Sequence, residues 1–236
     1  MEITNALAIL DQLPIHSWSY PRILVGILVE RSISYADDVF MQFLRIAQQG
    51  PSFSDVKYGR TDVTRNIMAT QLLESNYTHL LMLDVDHVHP TDIIQRLARW
   101  VLLMPEVQVV SGMNFRRGEP FDPVAGSYEP DARKRSVMTE WTRGLIKVHE
   151  SGAASLLVAR EVFEKLEPPW FFNIYDEVWR NSYPGEDIGF SRKCRAAGIP
   201  IYVDTTTSSP HCTTVTITEE TFRAYMEAHP ERFKNE

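Results

Sequence analysis

Short apolar runs alternate along this chain with longer stretches whose apolar residues recur at helical spacing. Residues 22–29 are rich in leucine and β-branched side chains and predict a first core strand. Residues 80–83 are continuously apolar, long enough for a buried strand and too short for a helix. Further strands are predicted over 107–110, ending at Ser111-Gly112, over 155–159 and over 199–203, and 52–58 is a candidate second strand. Helices are predicted over 35–49, closed by Gly50-Pro51, and from Thr61 or Asp62 to about Ser75, with Val63 and Ile67 on one face. Pro90-Thr91-Asp92 opens another, in which Ile93, Leu97 and Trp100 or Val101 recur. A short helix covers 160–166, a longer one 186–197 with Gly198 as its left-handed cap, and a terminal one 218–229, where Phe222, Tyr225, Met226 and His229 share a face. This alternation indicates βαβ units, a mainly parallel sheet and an α/β fold. Residues 113–150 change character: Gly, Pro and charge are frequent, and the short alternations at 137–141 and 144–148 read as hairpins or a mobile loop. Residues 168–172 read as extended and aromatic, and 1–20 fit no element. No repeat or long linker divides the chain, so one domain over 1–236 is expected.

Composition narrows the class without changing that picture. The chain has 236 residues, 44% hydrophobic and 23% charged, enough for one sizeable core or a core with a small lobe. A net charge of −7 argues against general nucleic-acid binding, and an anionic substrate would need arginines or a metal ion to meet it. Cys194 and Cys212 lack metal-site spacing; a disulfide is open, but a reduced, cytoplasmic chain fits the count better. The longest apolar candidate for a membrane span, 23–29, is far too short, and the N-terminus has no signal-peptide pattern.

Four features carry candidate chemistry. The apolar run 80–83 ends in Asp84-Val85-Asp86, and residues two apart in a strand share a face. Asp84 and Asp86 would then project together at the carboxyl end of a buried strand, where ligands sit in open α/β sheets. Their mutual repulsion would be relieved by Mg²⁺ or Mn²⁺, and the plainer reading is two solvated aspartates. Gly152-Ala153-Ala154 offers bare backbone to a ligand. Glu186 and Asp187 follow Gly185 at a helix start, as capping carboxylates or as a general base. His211 follows Ser208-Ser209-Pro210 on a loop; it is either solvated or a third ligand beside Asp86. His87 and His89 point away if strand alternation continues, and so stay outside the metal set. Arg60 and Arg65 flank the start of the 61–75 helix, as surface charge or as contacts to phosphate or base. Trp141, Trp170, Phe171, Trp179 and Tyr183 are core or lobe packing, with one or two free to stack on a sugar. No P-loop, dinucleotide or hydrolase-elbow motif occurs.

The order D-V-D, small-residue Gly loop, G-E-D opening a helix, then a late His resembles nucleotide-sugar glycosyltransferases of the GT-A fold. Arg65-Asn66 on the preceding helix and the run into Asp84-Val85-Asp86 are similar to them too, and the resemblance covers about residues 22–212, at a small size like bacterial or phage-encoded members. It implies a Rossmann-like, mainly parallel sheet flanked by helices, with a smaller acceptor-side lobe. The nucleotide-sugar and metal half would be 22–112, the acceptor half 113–212 and a helical tail 213–236. By the same resemblance Asp84 contacts ribose or metal, Asp86 and His211 ligate the metal, and Asp187 is the base of inverting members. Arg60, Arg65, Val85, Gly152 and Ala153 would face the donor, and Glu186 and Trp170 the acceptor. The first strand departs from the family pattern, ending Val29-Glu30-Arg31 rather than in a Pro-x-Tyr/Phe-Asn turn, which leaves the base-binding residues unassigned. The expected activity is transfer of a sugar from a UDP- or GDP-linked donor to an acceptor hydroxyl, with Mn²⁺ or Mg²⁺ and with inversion. The alternatives are a sugar-phosphate nucleotidyltransferase, whose glycine-rich basic signature is missing near the first strand, and a non-catalytic carbohydrate- or nucleotide-binding module.

Overall fold

A computed structural model of the chain describes residues 10, 12–28, 37–54, 59–126, 138–174, 184–213 and 216–233. In chain order its first half holds β1 (Ile23–Leu28), α1 (Asp37–Gln48), β2 (Ser52–Phe53), α2 (Thr61–Glu74), β3 (His79–Asp84), α3 (Ile93–Leu103) and β4 (Val109–Met113). The second half holds β5 (Ala125–Gly126), β6 (Leu145–Val148), β7 (Glu150–Ser151), β8 (Ser155–Ala159), α4 (Arg160–Lys165), α5 (Glu186–Ala196), β9 (Ile201–Ser208), β10 (His211–Cys212), β11 (Thr216–Ile217) and α6 (Glu219–Ala228). Seven strands form one sheet in the order β2-β1-β3-β8-β4-β9-β6. β1, β2 and β3 pair in parallel, as do β4 and β9, whereas β8 and the edge strand β6 run antiparallel to their neighbours. The fold is thus a mixed, mainly parallel α/β sheet flanked by helices.

The alternation of β3 explains how the sheet is covered. Leu80 and Met82 enter one apolar cluster with Met68 and Leu72 of α2, Phe163 of α4, Phe190 of α5 and Phe222 of α6. Leu81 and Leu83 enter the other, with Trp18, Ile46 of α1, and Ile94 and Leu97 of α3. Both faces of the strand are dry, which is why its sequence is continuously apolar rather than alternating. Truncating one of these leucines to alanine costs about 2–5 kcal/mol by lost burial and the cavity left behind.

Three expectations are revised by this packing. On α2 the buried stripe is Thr64, Arg65, Met68, Ala69 and Leu72, while Val63 and Ile67 are 47% and 44% exposed. The stripe sits one residue later than hydrophobicity suggests, because a buried arginine belongs to it. β4 runs through Ser111-Gly112 to Met113, buried throughout. A Cβ on Gly112 would lie 2.8 Å from Ser155 Oγ and 2.9 Å from Thr207 O, so glycine lets the flanking strands close there. Residues 145–148 form a strand of the main sheet, paired with β9, rather than a loop. Residue 137, the 29–31 departure, the end of the 52–58 candidate, Trp179 and Tyr183 lie outside the described residues. Among the described residues no helix is long and apolar enough to cross a membrane.

The parallel strands β1, β3 and β4 share one carboxyl edge. Because β8 runs the other way, its first residue, Ser155, pairs with Leu83 at that same edge. The Gly152-Ala153-Ala154 segment is therefore delivered beside Asp84, and Asp84 N–H donates to Ala154 O at 2.9 Å.

Candidate functional site

β3 ends at Asp84, and the next two residues turn. Strand alternation stops with it, so Asp84 and Asp86 do not share a face, and the expectation that they act as one pair is corrected. Asp84 turns toward Arg65, whose Nη2 donates to its two carboxylate oxygens at 2.9 and 3.1 Å. Asp86 faces histidines instead: Oδ1 lies 2.9 Å from His87 Nδ1 and Oδ2 3.1 Å from His211 Nε2. Donor atoms of Asp86, His87 and His211 all lie within 4.8 Å of one another. His87, set aside on the assumption of continued alternation, belongs to this group, and Asp84 is not part of it.

His211 is not on a free loop. It starts the short strand β10, paired with β11, and bridges His87 across an isolated β-bridge. Cys212 N–H donates to Asp86 O at 2.7 Å and Val88 N–H to Pro210 O at 2.9 Å. The rings of His87 and His211 stack with centroids 4.0 Å apart. Behind them His89 is buried, with Nε2 on Asp84 O and Nδ1 on Ser209 Oγ, each at 2.9 Å. Burial pushes His89 down to about 3, so it is a neutral brace between the two segments that carry the group.

The tautomer of His211 tests whether a cation fits. Its Nδ1 lies 3.0 Å from the Phe115 carbonyl, which only accepts, so Nδ1 carries the proton. In the neutral ring Nε2 then turns a lone pair toward Asp86, another acceptor. Two acceptors facing each other are satisfied by a second ring proton or by a cation, and a carbonyl on the far ring nitrogen is how metal-bound imidazoles are oriented. Burial works against ionisation of Asp86, but its close contacts with the His211 and His87 rings hold its carboxyl well below the usual carboxylate range. Burial lowers His87, with Asp86 opposing. One carboxylate and two imidazoles fit a divalent first-row ion.

Beside this group sits a buried ionic network. Arg65 is sealed from solvent and donates from Nε to Glu186 Oε1 at 3.0 Å, from Nη1 to Ala153 O at 3.1 Å and from Nη2 to Asp84. Burial opposes its charge, but Asp84 and Glu186 outweigh it and keep the guanidinium protonated. Asp84 is pushed up to about 6 by burial, with Asp86 and Glu186 adding to the rise and Arg65 opposing it. One guanidinium is shared by several carboxylates, which leaves the region rich in negative charge.

Asp187 stands at the N-terminus of α5, its Oδ1 accepting from Ile188 N–H at 2.8 Å. A Cβ on Gly152 would lie 2.9 Å from Val124 Cγ1 and 3.6 Å from Asp187 Oδ2, so only glycine keeps that wall open. These residues line a cavity of about 430 Å³, which brings together Arg65, Asp84, His87, Gly152, Ala153, Glu186, Asp187 and His211. Val85 and Arg60 are not on its wall. Arg60, its side chain 71% exposed, pairs with its neighbour Asp62 at 2.9 Å, as surface charge does. Trp170 is buried and donates from Nε1 to Phe163 O and Leu166 O, so its acceptor-side assignment is corrected to core packing. Trp141 stacks on Phe222 and Phe171 on Phe190 in the same core. Sequence reasoning missed His87 and the Arg116-Arg117 pair, which also lines the cavity. The signal for the latter was two adjacent arginines shortly after a buried strand.

No family model and no curated protein matches the chain. Among solved structures, the crystal structure of A197 from STIV resembles it with a TM-score of 0.56 at 19% identity, over 81% of this chain and 86% of that one. GalNAc-T7 with UDP, GalNAc and Mn²⁺ gives 0.49 at 11% identity, over 87% of this chain and 47% of that one. Apo UDP-glucose pyrophosphorylase gives 0.44 at 10% identity, over 89% and 81%. The first of these likenesses is one of fold; the other two are weaker.

Proposed function

We propose that the chain is a metal-dependent glycosyltransferase that moves a sugar from a UDP- or GDP-linked donor to an acceptor hydroxyl with inversion. The observation that carries this reading is a single cavity with two chemically distinct walls. His87 and His211, which with Asp86 form a cation-holding group, line one, and Asp187 stands by Gly152 on the other. A divalent ion on the first wall supplies charge neutralisation for a departing diphosphate when bound. Two imidazoles and a carboxylate suit Mn²⁺ better than Mg²⁺, which prefers oxygen alone.

The chain's own residues do the rest. Glu186 is committed to Arg65, which assigns the base to Asp187. The Ile188 N–H fixes one Asp187 oxygen, so the carboxylate is oriented to take the proton of an acceptor hydroxyl as it attacks the anomeric carbon. Arg65, with its three partners, orients Asp84, Ala153 and Glu186 rather than gripping phosphate. The bare Gly152 backbone leaves room for a sugar ring.

The test is a panel of UDP- and GDP-sugars with Mn²⁺, read by nucleoside diphosphate release, in the wild type and in Asp187→Asn. Asn caps a helix about as well as Asp but cannot take a proton. Turnover should fall by about 10²–10⁴, with donor affinity and thermal midpoint near wild type. Near-normal turnover in the variant would remove Asp187 as base. Pyrophosphate release from a nucleoside triphosphate and a sugar phosphate would move the reading to nucleotidyl transfer.

A further inference from the structure

The cavity holds three arginines, and they are not equivalent. Arg65 is spent on Asp84, Glu186 and Ala153 O. Arg116 is spent on Asp122, whose buried carboxylate accepts from its Nη2 at 3.1 Å and lies 2.9 Å from its Nε. Arg117 is different: among the described residues its one ion pair is with Asp86 Oδ2, at a loose 3.5 Å, and its side chain is 55% exposed. Arg117 thus reaches a carboxylate of the cation-holding group without being fixed by it.

The backbone that carries Arg117 is held firmly. Phe115 bridges Pro123, Arg116 N–H donates to Asp122 O at 2.9 Å and Phe121 N–H to Gly118 O at 3.0 Å. Glu119 accepts from Tyr225 Oη of α6 at 3.0 Å and from Arg232 Nη1 at 3.3 Å, and the Phe121 ring meets the Tyr225 ring edge-on at 5.4 Å. The loop is anchored on both sides of an arginine whose own head group is only lightly engaged.

We propose that Arg117 is the diphosphate-binding cation of this cavity, and that in the absence of a divalent ion it stands in for that ion at Asp86. The two positive charges compete for one carboxylate. A divalent ion held by Asp86, His87 and His211 would take over that carboxylate and leave the Arg117 guanidinium free beside it. An anion that bridges the ion and the guanidinium then meets positive charge from two sides, in a site otherwise lined by Asp84, Glu186 and Asp187. The order of binding follows: metal first, diphosphate second. This rests on the reading that the cavity accepts a nucleoside diphosphate, and the test separates the two.

Titration calorimetry with Mn²⁺ alone, and with UDP, GDP and pyrophosphate each as its Mn²⁺ complex, is compared for the wild type, Arg117→Gln and Arg117→Lys. In Arg117→Gln, Mn²⁺ alone should bind about two- to fivefold more tightly, the worth of losing one exposed competing ion pair. The diphosphates should bind at least about tenfold more weakly, because charge-assisted hydrogen bonds are lost. Arg117→Lys keeps the charge but not the fork, so Mn²⁺ affinity should stay near wild type while diphosphate affinity falls part of the way. The opposite signs in the glutamine variant are the signature. Both affinities unchanged would make Arg117 a surface charge, and both weakened would make it structural; either overturns the proposal, as does a wild type that binds none of the three anions. Arg117-dependent pyrophosphate binding with no nucleotide sugar consumed would sustain the anion site and sink the glycosyl-transfer reading.

Discussion

His211 faces an acceptor from each of its ring nitrogens, the Phe115 carbonyl from one and Asp86 from the other. A neutral imidazole has one proton and cannot satisfy both. Replacing it with alanine removes one of three donors. His211→Ala should therefore lower Mn²⁺ affinity by more than the about 10–100-fold that loss of an outer-shell partner costs. Wild type should prefer Mn²⁺ to Mg²⁺. Free Mn²⁺ measured by its paramagnetic resonance checks both, and equal affinity in the variant would return His211 to an ordinary strand residue. At this scale the sequence was legible where the chemistry was local to one motif. Asp187 and Gly152 line the cavity, and Asp86 sits within reach of His87 and His211 beside it. It was not legible where a turn replaced a strand. Two residues past Asp84 the backbone no longer alternates, and His87 swings into the group that alternation had excluded.

Among the elements, α5 shows how tightly one packing contact is coupled to the site. A Cβ on Gly189 would lie 2.0 Å from the Phe172 carbonyl oxygen, so the helix rests directly on the extended 168–172 segment. Gly189→Ala should destabilise the protein by about 1–3 kcal/mol, as overpacking of a closed interface does. Relief of the clash would shift Asp187, two residues upstream, so turnover should fall together with the denaturant midpoint. An unchanged midpoint would mean that α5 slides freely on that segment. The start of this helix at Glu186 and its end before Gly198, with φ +72°, were legible from capping chemistry alone. The face of α2 was not, because a hydrophobic pattern cannot anticipate that Arg65 is buried among carboxylates from two other elements.

For the molecule as a whole, histidines sealed inside it contribute to acid sensitivity. His79, at the start of β3, is buried, with Nδ1 2.9 Å from Thr78 Oγ1, and burial lowers it to about 4. In the unfolded chain it titrates near about 6.5. The folded value is the depressed one, so its contribution to stability is fully present above the unfolded pKa and is lost as pH falls toward the folded one, by up to about 3 kcal/mol. His79→Gln should flatten that decline in denaturant midpoints taken across the same range, and an equally steep decline would place the acid sensitivity elsewhere. The α/β class was legible from alternating runs, but the order of strands was not. An apolar run reads alike in either direction, and nothing in 155–159 announces that it runs against its neighbours.

That reversed strand has a consequence for how the chain acquires its fold. β3 and β4 never touch as partners; β8 fills the place between them. Until Ser155–Ala159 emerges during synthesis, only β2, β1 and β3 can pair; β3 has an edge that nothing yet covers, and β4 has no partner, because β8 and β9 both come later. Such edges invite pairing with other chains. Joining them requires contacts between residues far apart in sequence, which places the protein among the slower folders of its size. The strand that closes the sheet also brings Gly152–Ala154 to Asp84, so that wall of the cavity forms in the same event. A nascent chain that has passed Asp86 but not Ser155 carries that aspartate without the pocket beside it, and with its stickiest surfaces open.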